Sequence, residues 1–202
     1  MKPKTTTEPS LIYSSPEHLQ AIQDKENFRR WERNVADRYK DKPEEEIRQD
    51  LRATAHPFAV MFENWTGDFN MGTGIRNANG FNAKEVFYLG NKKWDRRGAV
   101  GVYNYTPVQW ISSLDEIYAL KDRYHFIGVD NVPGSISMES FKWPENTLMI
   151  FGEENAGLTP GIQSACEHIV HVGMYGSVRS FNCGSASAIA MYDFVSKFRN
   201  LK

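Results

Sequence analysis

Between about Ser15 and Ala53 apolar residues stand singly among polar ones: Leu19, Ile22, Phe28, Trp31, Val35, Tyr39, Ile47 and Leu51 recur at roughly helical spacing. The pattern predicts two amphipathic helices, separated where Asp41-Lys-Pro43 interrupts it, because proline lacks a backbone donor and disfavours helical geometry in the residue before it. From His56 the rhythm changes. Short apolar runs, Phe58 to Phe62, Glu85 to Leu89, His125 to Val129, Thr147 to Phe151 and Ile169 to Val172, alternate with stretches of helical or loop character. Runs of that length suit strands buried on both faces, and their alternation with helices predicts an α/β fold with a parallel sheet. The change divides the chain into a helical N-terminal extension, residues 1–55, and an α/β domain, residues 56–202.

Local signals place the helices. Ser113-Leu-Asp-Glu116 has the form of a capping box. Thr159-Pro160 offers an N-cap followed by proline at the first helical position. A last helix from about Asn182 to Phe198 carries Ala186, Ala188, Ile189, Ala190, Tyr192, Phe194 and Val195, and that composition predicts substantial burial.

Composition narrows the class. A chain of 202 residues, 41% hydrophobic and 24% charged, can build one core without metal or disulfide support. Cys166 and Cys183 have no metal-ligand or redox spacing and are expected as free thiols. No apolar run reaches membrane-spanning length, and the opening Met1-Lys-Pro-Lys lacks the apolar middle of a signal peptide, so a cytoplasmic protein is expected. A net charge of −1 argues against a surface coated for nucleic acid, so any such contact must come from local patches.

Three segments have the residues of a site. Asn70-Met-Gly72-Thr-Gly74-Ile-Arg76 follows the first predicted strand, where a glycine turn would let backbone amides approach an anion. It lacks the full dinucleotide fingerprint, and a plain glycine turn with a solvated arginine explains it equally well. Gly152-Glu-Glu154-Asn-Ala-Gly157-Leu158 leaves a strand at the sheet edge where α/β proteins bind ligands, or is a simple strand-to-helix connection. Val172-Gly-Met174-Tyr-Gly176-Ser-Val-Arg-Ser180-Phe181-Asn182 runs into the last helix, where Ser180 and Asn182 suit N-capping as well as they suit a site.

Taken together, Asn-x-Gly-x-x-x-Arg, then apolar-Gly-x-Glu-x-x-Gly-Leu, then apolar-x-Met-x-Gly-x-x-x-Ser-apolar-Asn resemble, in order and spacing, the three motifs of the SpoU/TrmH branch of the SPOUT RNA methyltransferases. The resemblance covers about His56 to Phe198. It implies a SPOUT-type parallel sheet flanked by helices, with a C-terminal deep trefoil knot that breaks the usual rule against threaded chains. It also implies a homodimer, a cofactor, S-adenosyl-L-methionine, held in the knot, and no metal.

The implied reaction is methyl transfer to a ribose 2′-hydroxyl of tRNA or rRNA. Carried over position by position, Gly152, Val172, Met174 and Phe181 are the cofactor-binding residues, and Arg76, Asn70, Glu154, Ser180 and Asn182 form the catalytic group. Asn70 and Glu154 are expected to orient Arg76 and the loops, and Ser180 and Asn182 to hold the acceptor. The chain departs from the family's pattern at Gly173, where a proline is usual, and at Gly184, where a serine is. Two other readings remain: a base methyltransferase of the same superfamily, and a non-catalytic RNA-binding knot module.

For RNA, Lys92-Lys93-Trp94-Asp-Arg96-Arg97 mixes cations with an aromatic ring, as phosphate contact and base stacking require, although a solvated loop has the same composition. Arg29-Arg-Trp31-Glu-Arg33 is a weaker candidate because its acids nearly balance its bases.

Overall fold

In a computed structural model, residues 34–64, 69–154 and 156–200 are described, and the chain divides into two compact units, residues 1–43 and 44–202. The described part of the first unit holds one 3-10 turn, Asp37–Tyr39, with the Arg38 guanidinium over the Tyr39 ring. Most of the predicted first helix, with Arg29 to Arg33, lies outside the described residues; its described end, with Val35 and Tyr39, holds that turn instead of α-helix.

In the second unit α1 (Glu44–Ala53) starts directly after Pro43, with three glutamates in its first turn. Negative charge there complements the positive end of the helix dipole. Next come β1 (Phe58–Asn64), α2 (Phe69–Gly80), β2 (Val86–Gly90), β3 (Val108–Ile111), α3 (Leu114–Tyr118), β4 (His125–Val129) and β5 (Ile136–Ser137). β6 (Thr147–Phe151), α4 (Pro160–Ala165), β7 (His168–His171) and α5 (Cys183–Asn200) complete the order. The seven strands form one parallel sheet in the order β3-β2-β1-β6-β4-β7-β5.

Alternation along the strands divides the core in two. Phe58, Val60 and Phe62 of β1, with Met149 and Phe151 of β6, face α2 and α5, whose Ile75, Ala190, Met191 and Phe194 are fully buried. Ala59, Met61, Leu148 and Ile150 point the other way, onto Ile117 of α3 and Ile162 of α4. The central strands are therefore apolar on both faces except at their ends, where His125, Thr147, Glu63 and Asn64 sit, which is why they read as unbroken runs in the sequence. Truncating Phe194, which lies against Phe58 and Trp143, would cost roughly 3–5 kcal/mol.

The structure corrects several local expectations. Residues 70 to 80 are helix, not a glycine turn: Gly74 sits over the Phe62 ring, and Gly72 against the backbone of Asp95 and Gly98. Tyr192 is 64% exposed, on the outer face of α5. The Thr159 hydroxyl does not cap α4; it donates to the buried carboxylate of Glu63, which also accepts the Thr159 amide. Ser113 caps α3 by accepting from the Glu116 amide, but the Glu116 carboxylate turns to Ser112 instead of closing the box. Among the described residues no helix is long and apolar enough to cross a membrane.

Candidate active site

β4, β6 and β7 end together, and a cleft of about 500 Å³ opens at their carboxyl ends. Parallel sheets place ligands at that edge because the loops there are free to close around them. Its apolar wall comes from Val129, Phe151, Val172, Met174 and Phe181, and its polar wall from Asp130, Glu154 and Ser180.

The floor is the loop after β6. Glu153 and Gly157 pair across it, the Gly157 amide donating to the Glu153 carbonyl at 2.9 Å. The turn is so tight that a Cβ on Gly152 would lie 2.0 Å from the carbonyl carbon of Gly157, and Gly157 itself is left-handed, with φ +66°. Both positions exclude side chains, for steric and conformational reasons respectively. Asp130, just past β4, accepts the Leu158 amide at 2.8 Å and the Asn131 amide at 2.7 Å, so its carboxylate fastens this loop to the next strand end. Glu63 does the same from β1 through Thr159.

The 172–182 segment forms the roof and is tied at both ends of the cleft. Asn131 donates to the Arg179 carbonyl at 3.1 Å. At the other end the Asn182 amide donates to Asn70 Oδ1 at 2.8 Å and to both oxygens of Glu154 at 3.2 Å, while Asn70 donates to Glu154 Oε2 at 2.5 Å. The Asn182 Oδ1 accepts the Ser185 amide at 3.3 Å, so the same side chain caps α5. The three segments singled out in the sequence thus meet in one hydrogen-bonded cluster at the mouth of the cleft.

Arg76 stands apart from it. The residue is exposed on α2, and among the described residues its guanidinium makes no hydrogen bond or ion pair; Asn70 and Glu154 bond each other and Asn182, not Arg76. The neighbouring α2 positions are occupied by packing: Asn77 donates to the Gly184 carbonyl at 2.8 Å and to the Ser187 hydroxyl at 3.0 Å. Gly184 has a steric reason to lack a side chain, since a Cβ there would lie 2.9 Å from Thr73 Cγ2. α5 comes that close to α2. The space at Gly173 is bordered by the Tyr175 hydroxyl, which donates to Glu139 at 3.0 Å.

The basic loop lies beyond α2 and does not line the cleft. Lys92 is over the Trp110 ring, Arg96 is over both Trp94 and Tyr103, and Trp94 is packed edge-on to Tyr103. Lys93 is exposed. Arg97 grips Asp95 with two nitrogens and holds that carboxyl down at about 2. Asp130, Asn131 and Glu63 escaped sequence reasoning. A single acid at a strand end carries no pattern, and only its partners reveal what it holds.

A sequence model of the SpoU rRNA Methylase family matches residues 57–192. Among curated proteins the chain is similar to the 23S rRNA (uridine(2479)-2′-O)-methyltransferase of Streptomyces viridochromogenes, 26% identical over 67% of this chain and 51% of that protein. It is also similar to the tRNA (guanosine(18)-2′-O)-methyltransferase of Borreliella burgdorferi, 31% identical over 39% of this chain and 36% of that one. The chain spans about half the length of the first and about a third of the second. Among solved structures, the A. aeolicus TrmH/SpoU tRNA modifying enzyme superposes with a TM-score of 0.69 at 16% identity, over 78% of this chain and 83% of that one. The methyltransferase AviRb of S. viridochromogenes, solved with AdoMet, gives 0.65 at 24% identity, over 74% of this chain and 61% of that one. At such identities the likeness is one of fold.

Proposed function

The chain belongs to the SpoU rRNA methylase family, and from that premise we propose that it transfers a methyl group from S-adenosylmethionine to a ribose 2′-hydroxyl of tRNA or rRNA. The observation that carries this reading is the Asn70–Glu154–Asn182 cluster, which draws three segments distant in sequence to the mouth of one cleft. The similar proteins named as 2′-O-methyltransferases of rRNA and tRNA support the acceptor class.

The cleft suits the cofactor. Its volume of about 500 Å³ lies within the range of small-molecule sites, and an adenine ring needs an apolar slot such as Val172, Met174 and Phe181 would form beside the side-chain-free turn at Gly152. Bound there, S-adenosylmethionine supplies a methyl carbon already activated by sulfonium. The O–CH3 bond would form as the S–CH3 bond breaks, with the thioether leaving and the hydroxyl proton passing to solvent water. What remains for the chain is alignment, worth about 7–11 kcal/mol in well-oriented reactions, and stabilisation of charge on the acceptor oxygen. Ser180 and Asn182 hold the acceptor ribose at the mouth. Asn70 and Glu154 position that edge. Arg76 stays protonated, which makes it a poor base, so its role is to grip the phosphate beside the target nucleotide and stabilise negative charge developing on the acceptor oxygen.

The same reading takes residues 56–202 as the methyltransferase domain, with the 152–158 and 172–182 loops as those of a trefoil knot. Its support is that β6 is inserted between β1 and β4, and that α5, after leaving β7 near the sheet edge, returns to pack on α2. The exposed Tyr175 and Val178 suit a second copy of the chain, and the same reading makes the protein a cytoplasmic homodimer.

Incubation with labelled S-adenosylmethionine and total RNA, followed by digestion to nucleosides, should yield 2′-O-methylated nucleosides. Label confined to bases, or none despite measured cofactor binding, would refute the assignment.

A further inference from the structure

A second cleft, of about 330 Å³, lies between α1 and the 94–108 segment and is separate from the site above. Three arginines line it, and they are not equivalent. Arg48 is engaged: its Nε donates to the Asn104 carbonyl at 2.6 Å, and its terminal nitrogens pair with Glu44 and Glu45 at 3.3 Å. Arg52 and Arg96 are exposed, and among the described residues neither makes a hydrogen bond or ion pair. The nearby acids are already occupied, Glu44 and Glu45 by Arg48 and Asp95 by Arg97. Arg96, and Arg52 with only the charge of the already paired Glu45 nearby, therefore face a cleft whose wall includes the Trp94 and Tyr103 rings beside Thr106, Pro107 and Val108.

Arg96 is also held in place. Its guanidinium lies 5.7 Å from the Trp94 ring centroid and 5.1 Å from that of Tyr103. The 3-10 turn Arg96–Ala99 that carries it packs on α2 so closely that a Cβ on Gly98 would come 2.9 Å from the Thr73 amide. The turn stores strain as well: Val100, a β-branched residue, is left-handed at φ +42°. A planar guanidinium fixed on an aromatic ring can both pair with phosphate and stack on a base.

We propose that this cleft is a second RNA-contact site, holding a nucleotide of the RNA away from the methylated one, with Arg52 and Arg96 on its phosphate and the Trp94–Tyr103 wall beside its base. The proposal rests on the RNA reading above. A polymer fits better than a free mononucleotide because Arg52 also borders a further cleft, of about 540 Å³, where Arg123 is neutralised by Glu85 but Lys84, bonded to the neutral Asn146 side chain at 2.7 Å, remains a net positive charge. A cation for a neighbouring phosphate thus lies past the single nucleotide.

The test uses the full chain and a fluorescein-labelled 20-nucleotide single-stranded RNA of mixed sequence, with binding read by anisotropy over a salt series. Arg52→Ala and Arg96→Ala should each weaken binding about tenfold, and together should lower the slope of log affinity against log salt by about 0.7, the value for one phosphate contact on a single strand. S-adenosylmethionine affinity, measured by calorimetry, should not change, which separates a lost contact from a damaged fold. Wild-type affinity and slope in the double variant would overturn the proposal while leaving the methyltransferase assignment intact. So would displacement of the RNA from the wild type by micromolar uridine monophosphate, which would make a free nucleotide the occupant. A wild-type protein that binds no RNA would overturn both readings.

Discussion

The mouth of the first cleft and the basic rim beyond α2 use polar side chains in opposite ways. At the mouth Asn70, Glu154 and Asn182 are satisfied by one another, and the Asn182 side chain uses both its donors and its acceptor. Along the rim Arg76, Arg52 and Arg96 make no hydrogen bond or ion pair among the described residues, and the acids near the last two, Glu45 and Asp95, are bonded to Arg48 and Arg97. Groups bonded to each other fix a shape. Groups left unbonded are available to something else, and cations in that state suit phosphate. The contrast predicts that mouth substitutions act on stability and cofactor affinity, and rim substitutions on turnover and RNA affinity.

The largest effect that could break this division is at Arg76. Arg76→Ala should lower methyl transfer by about 100- to 1000-fold, the usual loss on removing a group that stabilises developing charge. Thermal unfolding should stay where it is, because nothing in the described structure depends on that guanidinium. A large drop in melting temperature would move Arg76 into the structural class.

Asn182→Ala tests the other side. Loss of the α5 cap and of the ties to Asn70 and Glu154 should destabilise the protein by about 1–2 kcal/mol in denaturant titration and weaken S-adenosylmethionine binding about tenfold; methyl transfer should fall as well because the acceptor ribose loses a contact, while overall RNA affinity, set mainly by phosphate contacts, changes little. A normal melt with lost RNA binding would place Asn182 with the rim.

Gly184→Ser, which restores the family's usual residue, sharpens the boundary between the two regions. The added Cβ meets Thr73, so about 1 kcal/mol of stability should be lost, and Thr73→Ala in the same chain should recover part of it. Additive losses in a double-mutant cycle would show that the two positions do not press on each other.

The smallest expected effect concerns the packing beneath the pinned loop. Burial pushes the Cys166 thiol up from its ordinary value of 9.0 to about 12, so the native state favours the neutral form. Its contribution to stability is complete below pH 9.0 and is lost as pH rises from there towards about 12, and Cys166→Ser should flatten that alkaline decline in a melting series. Alkylation of Cys166 by iodoacetamide in the native protein at pH 8, read by mass spectrometry, would contradict the burial.

Much of the fold was legible because the central strands carry apolar side chains on both faces along most of their length and differ sharply from what flanks them; the runs at Phe58, His125 and Thr147 begin where β1, β4 and β6 begin. β3 was not legible. Val108-Gln-Trp-Ile111 is an edge strand with Gln109 and Trp110 exposed, so neither an apolar run nor clean alternation marks it. Two-residue β5 is too short to leave any pattern. At the site, the three motifs showed which segments matter but not how they combine: expecting Asn70 and Glu154 to hold Arg76 overlooked that two amides and a carboxylate satisfy one another. The glycines of α2 misled because glycine serves both turns and close helix packing, and only the neighbours Phe62 and Gly98 distinguish these uses.

The Asn182 amide joins groups 112 and 28 residues away along the chain, and the strand supplying the middle of the sheet, β6, enters between strands made long before it. Contacts of such long range form slowly because the intervening loops must close first. The mouth therefore acts as a checkpoint on folding: until the last helix has docked on α2 its three polar groups cannot meet, and a chain arrested earlier would have a sheet but no finished site. During synthesis, cofactor affinity should appear as one late step, after most of the secondary structure is in place.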